Sequence, residues 1–172
     1  MDTKEKRIRA VTWAAFIIYL LTLIWVVVFK TQIAYISFSW PNYRLPINFI
    51  PFGASVISDG RIYLPEIFEN VIAFVPLGLF VSIFAKKGGV WKAALWGFGT
   101  SLLFETVQYV FAIGSADITD VITNTTGAVL GALLWLLLRG LFKKKTEAVT
   151  SITLLAAELL FIGFFGFLTL VN

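Results

Sequence analysis

The chain has 172 residues, of which 59% are hydrophobic and 14% charged, with a formal net charge of +4. An ordinary soluble domain carries about 25% charged residues, so this composition points to lipid rather than water. Cysteine and histidine are both absent, which excludes disulfides, thiolate nucleophiles, histidine-based triads and imidazole proton shuttles. Any chemistry falls to carboxylates, amides, hydroxyls or basic side chains.

Apolar stretches of about 18 residues or more read as membrane-spanning helices. Five are predicted, over about residues 10–29, 67–85, 90–113, 118–138 and 151–171. The first follows the basic start Lys4-Glu5-Lys6-Arg7-Ile8-Arg9 and is longer than the 7–15 residues usual in a signal peptide. It is therefore read as a retained helix. The second is stopped by Lys86-Lys87-Gly88-Gly89. The expected fold is all-α: one integral membrane domain over residues 1–172 with five transmembrane helices.

Basic residues set the orientation, because cytoplasmic loops carry the excess of Lys and Arg. With the N-terminus inside, the inner segments hold Lys4, Lys6, Arg7, Arg9, Lys86, Lys87, Lys92, Arg139, Lys143, Lys144 and Lys145. Only Lys30, Arg44 and Arg61 fall outside. The expected topology is N-inside and C-outside. The positive charge is thus a topology signal, and no nucleic-acid partner is needed to explain it.

The outer segment between the first two spans is rich in aromatics and proline, as in Phe38-Ser39-Trp40-Pro41 and Asn48-Phe49-Ile50-Pro51-Phe52-Gly53. It is expected to be interfacial or re-entrant, since irregular backbone at membrane depth must be shielded by protein. Arg44 and Arg61 are placed either to meet an anionic group or to reach lipid headgroups.

Ionisable side chains are expensive in hydrocarbon, at least ~2.5–3.5 kcal/mol at a helix centre, so each one within a span is a functional candidate. Glu105 and Gln108 share a face of the third helix. Asp117, Asp120 and Asn124 share a face of the fourth. Reflecting this hairpin about Gly114-Ser115 sets Glu105 level with Asn124, and Gln108 level with Asp120. The deeper pair then lies about 14 Å below the outer turn and the shallower about 9 Å. Gly127 and Gly131 continue the stripe as a GxxxG, a pattern that lets another helix approach closely. Asn70, at the outer end of the second helix, is followed by Pro76, which frees the carbonyl of Ile72. Glu158 stands apart in the fifth span.

Taken together, Asn70-Val-Ile-Ala-Phe-Val-Pro76-Leu-Gly78, Glu105-Thr-Val-Gln108 and Asp117-Ile-Thr-Asp120-Val-Ile-Thr-Asn124-Thr-Thr-Gly127 with Gly131 resemble the motifs of the VanZ-like family of bacterial membrane proteins. Asn48-Phe-Ile-Pro51-Phe is similar to that family's upstream motif. The resemblance covers about residues 48–138. Many members carry an arginine just before the first aspartate, where this chain reads Gly114-Ser115-Ala116. An Arg–Asp pair built from that place is not expected here.

The resemblance implies a multi-pass protein of the bacterial cytoplasmic membrane, associated with resistance to the glycopeptide teicoplanin, without an established reaction. Asn70, Glu105, Gln108, Asp117, Asp120 and Asn124 are the expected ligand-binding residues, in an outward-facing polar pocket for a lipid-linked or cell-surface ligand. The alternative is an intramembrane enzyme acting on a lipid-linked envelope precursor, with Glu105, Asp117 and Asp120 as its acid–base candidates. No cofactor is expected, and a divalent metal enters only under that alternative. A third reading is ion-coupled transport through Glu105 and Glu158, which five spans would support only in an oligomer. Against all three stands a structural role, in which the same side chains hydrogen-bond the helices together at ~0.6 to ~2 kcal/mol each.

Overall fold

The computed structural model describes residues 2–28, 47–53, 64–85, 89–111 and 114–171. These residues form five long helices: α1 (Thr3–Val28), α2 (Leu64–Ala85), α3 (Gly89–Val110), α4 (Ile118–Phe142) and α5 (Thr146–Val171). A short 3-10 turn, Lys143–Lys145, joins the last two. Lys30, Arg44, Arg61, Lys86 and Lys87, with most of the outer segment, lie outside the described residues.

The helices overrun the apolar stretches that announce them. α1 starts seven residues before the first apolar run, α4 continues to Phe142, and α5 begins at Thr146 instead of 151. Lys, Arg and Glu are good helix formers, so a helix does not stop where its hydrocarbon-compatible segment stops. α3 does the opposite and ends at Val110, short of the expected 113. α2 tolerates Pro65 in its first turn, where the missing N–H has no intrahelical partner to lose, and runs on through Pro76.

Three stretches among the described residues are long and apolar enough to cross a membrane: Thr3–Val27, Leu64–Ala85 and Ile118–Leu168. The third, at 51 residues, amounts to about 77 Å of helix, more than twice the ~30 Å hydrocarbon thickness. The lysine turn interrupts it, with Lys143 in the left-handed region at φ 49. α3 is long enough at 22 residues but is diluted by Lys, Gly, Thr, Ser, Glu and Gln.

The chain divides into two compact units. One contains residues 1–22 and 136–172. Within it, the Thr12 hydroxyl on α1 lies 2.8 Å from Ser151 Oγ and 3.4 Å from Glu147 Oε1 on α5. Thr146, Thr150 and Ser151 are buried on α5. Glu158 is buried there too, with neither carboxylate oxygen hydrogen-bonded among the described residues.

The other unit covers residues 23–135. Its core is built from Phe74, Leu77, Leu79 and Phe80 of α2, Ala93 and Phe104 of α3, and Val121, Ala128 and Ala132 of α4. Phe74 and Phe104 meet edge to face, with ring centroids 6.3 Å apart. Small residues set how close the helices come. A Cβ on Gly127 would overlap the Val71 carbonyl of α2, one on Gly131 the Val75 carbonyl, and one on Gly78 the Ala128 carbonyl of α4. Gly97 of α3 is similarly tight, its added Cβ falling 2.7 Å from Ala128 Cβ. Gly127 and Gly131 of α4 thus lie directly against the backbone of α2.

Candidate functional site

The polar residues of the second unit converge where α4 begins. Asp117 is the residue before the first turn of α4, and its Oδ1 accepts the Thr119 backbone N–H at 2.7 Å. That is an N-cap: a carboxylate satisfying one of the four donors that a helix start leaves without partners. The same oxygen accepts Asn48 Nδ2 at 3.0 Å. The Asp117 N–H donates to Glu105 Oε2 at 2.8 Å, which ties the end of α3 to the start of α4.

The described part of the outer segment, Ile47–Gly53, pairs with this corner. Asn48 and Asp117 form an isolated parallel bridge, with Asn48 N donating to the Ala116 carbonyl at 2.8 Å and Ile118 N to the Asn48 carbonyl at 3.0 Å. The Asn48 side chain also closes its own turn, through Ile50 N and the Ile50 carbonyl, both at 3.1 Å. Phe52, at φ 61, donates its N–H to Thr119 Oγ1 at 2.8 Å. Phe49 and Ile50 are exposed.

One turn deeper, Asn70 of α2 donates to Asp120 Oδ1 at 2.6 Å. Deeper again, Asn124 donates to Ser101 Oγ at 2.8 Å, and Ser101 donates to the Asp120 carbonyl at 3.4 Å. Glu105 and Asp120 are buried, 4% and 6% exposed, whereas Asp117 is half-buried. Each helix therefore contributes to one network: α2 through Asn70, α3 through Ser101 and Glu105, α4 through Asp117, Asp120 and Asn124.

The levels differ from the reflected hairpin. Asn124 meets Ser101 rather than Glu105, and Glu105 meets Asp117. Gln108 leaves the hairpin and donates to the Val27 carbonyl of α1 at 2.9 Å. The reflection assumed helical rise up to the turn on both sides. Gly114 to Asp117 are instead non-helical, with Ala116 to Ile118 bonded to Asn48 across the bridge, and a strand-like residue covers about 3.3 Å against 1.5 Å in a helix. The fourth helix thus starts deeper, and its register against α3 shifts by about a turn. Gly114 allows the corner, its absent Cβ leaving room for the Gln108 amide, which would otherwise sit 3.3 Å away.

Ser101 and Thr119 are site residues that the sequence reading passed over, and Asn48 entered it only as part of the upstream motif. Ser101 lies four residues before Glu105 and thus on its face. Two buried amide oxygens, Gln108 Oε1 and Asn124 Oδ1, have no hydrogen-bond partner among the described residues. Buried acceptors in that state are costly, and they are the acceptors that the network leaves open.

Among the described residues no group of three or more acidic side chains is arranged to hold a metal ion. The one basic side chain described in this unit, Lys92, is exposed near the start of α3. A groove of about 250 Å³ at Leu95, Trp96, Gly99, Thr100 and Leu103 lies on α3. At 100° per residue this is the face opposite Ser101, Glu105 and Gln108.

Long apolar helices around a buried network of carboxylates and amides define an integral membrane protein with a polar centre. The VanZ/LLP1 family model matches residues 16–139. Protein VanZ of Enterococcus faecium is 43% identical over 119 residues, 69% of either chain. The chain belongs to the VanZ family. No solved structure matches it.

Proposed function

We propose that this protein lowers susceptibility to teicoplanin from the bacterial cytoplasmic membrane, by binding a lipid-linked or cell-surface ligand at the polar network around Glu105, Asp117 and Asp120. The reading takes five crossings, with the N-terminus inside, from the distribution of Lys and Arg. That topology puts the start of α4 in the outward half of the membrane. Asn70, Gln108 and Asn124 complete the binding set.

One observation carries the proposal. Three helices and the Ile47–Gly53 turn spend their polar side chains on a single corner, yet Gln108 Oε1 and Asn124 Oδ1 remain buried without a partner among the described residues. A buried polar atom without a partner is uncommon in a folded protein and calls for an explanation. A ligand group carrying donors past the corner to the level of Ser101 would satisfy the Asn124 acceptor. The enzyme alternative asks the same carboxylates to release bonds that hold the start of α4, so binding is the reading preferred.

The experiment is a paired measurement on Glu105→Gln, Asp120→Asn and Asn124→Ala: membrane abundance and thermal stability beside teicoplanin susceptibility in the host. Variants that stay folded and abundant while susceptibility rises at least about fourfold support the proposal. Susceptibility that moves only in step with lost protein assigns the network to structure.

A further inference from the structure

The unit formed by residues 1–22 and 136–172 carries eight basic side chains, four at the start of α1 and four around the turn between α4 and α5. Its fixed point is the Thr12 hydroxyl beside Ser151 and Glu147. Lys4, Lys6, Arg7 and Arg9 lie within about 12 Å of that contact along α1, and Lys143, Lys144 and Lys145 within about 12 Å along the other segment. Arg139 follows one turn back in α4. All eight are exposed. The acidic side chains nearby are few: Glu5, which accepts the Asp2 backbone N–H, Asp2 itself, and Glu147, which is engaged with Thr12.

Two further features set the level and the shape of this collar. Trp13, one turn after Arg9, and Phe142, directly before the lysine turn, are both exposed, and aromatic side chains favour the membrane–water boundary. Lys143 occupies the left-handed region at φ 49, where a helix end ordinarily carries glycine. The tight 3-10 turn that Lys143 opens displays three successive lysines.

We propose that this collar binds the phosphate groups of anionic phospholipid headgroups in the leaflet it faces. Clusters of four to eight Lys and Arg beside a membrane helix suit that chemistry. The arginines supply paired donors matched to phosphate oxygens and the lysines supply mobile point charges. The collar belongs to a different unit from the polar network, so it stands or falls independently of the teicoplanin reading.

The test uses the full chain in phosphatidylcholine bilayers, with spin-labelled phosphatidylglycerol and spin-labelled phosphatidylcholine as probes of the lipid held at the protein surface. The wild type should prefer phosphatidylglycerol by about threefold or more at low salt, and the preference should collapse in 0.5 M NaCl. The triple variant Lys143→Gln, Lys144→Gln, Lys145→Gln should lose more than half of it. Lys92→Gln, exposed on α3, should change nothing. A preference that survives salt in the wild type overturns the proposal, whether or not the triple variant folds. So does a folded triple variant with unchanged selectivity, or an equal loss in Lys92→Gln. If inorganic phosphate displaces phosphatidylglycerol better than chloride of matched ionic strength, the collar takes free phosphate and the lipid assignment falls.

Discussion

Replacing Gly131 by alanine tests whether backbone contact between α2 and α4 builds the polar corner. The added methyl would overlap the Val75 carbonyl oxygen and lie 2.9 Å from its carbon and 3.1 Å from Gly78 Cα. The carbonyl oxygen is the tightest of these contacts, and relieving its overlap moves the two helices apart by at least roughly 1 Å. Both surfaces are backbone, and no rotamer change can relieve the overlap. Overpacking of this kind costs about 1–3 kcal/mol. The gain in helix propensity from Gly to Ala, about 1 kcal/mol in water, offsets only part of it. The same displacement, carried to the outer end of α2, lengthens the 2.6 Å Asn70–Asp120 bond to about 3.6 Å or more, beyond the limit of a hydrogen bond. The variant should therefore melt several degrees below wild type in detergent, followed by circular dichroism, and should also lose its susceptibility phenotype. Gly163→Ala on α5, where an added Cβ meets nothing within 4 Å, is the control. If Gly131→Ala melts together with Gly163→Ala, the close approach of α2 and α4 does not govern the fold, and the reasoning fails.

Two other expectations concern the start of α4. Asp117→Ala removes the cap on the Thr119 N–H and the Asn48 bond, and should destabilise by about 0.5–2 kcal/mol. Asp117→Asn, which keeps the capping oxygen, should lose much less in the same melting experiment, and equal losses would argue against the cap. Phe52 sits at φ 61, a conformation that asparagine tolerates and β-branched residues do not. Phe52→Val should thus be less stable than Phe52→Asn by about 1–2 kcal/mol, a difference read from the two melting midpoints.

The candidate residues were legible because hydrocarbon makes polar side chains conspicuous. Glu105, Asp120 and Asn124 stood out against apolar neighbours, and their spacing of three and four residues already assigned each pair to a helix face. The partners were less legible. Ser101 and Thr119 are ordinary hydroxyl residues whose importance lies in what stands opposite them. The non-helical bridge between Asn48 and Asp117 left no periodicity to read, because it depends on residues 69 positions apart.

By itself, then, the sequence determined the helices, the polar faces and the uneven distribution of charge, since these follow from local spacing and from the cost of polarity in lipid. Tertiary structure alone decided which levels face each other. The non-helical stretch before α4, bridged to Asn48 at Asp117, sets α4 about a turn further along α3, so that Glu105 meets Asp117, Asn124 meets Ser101, and Gln108 turns to Val27. Helical rise is a local property. The register between α3 and α4 is set by the non-helical residues before α4, and their geometry depends on Asn48, a residue far away in the chain.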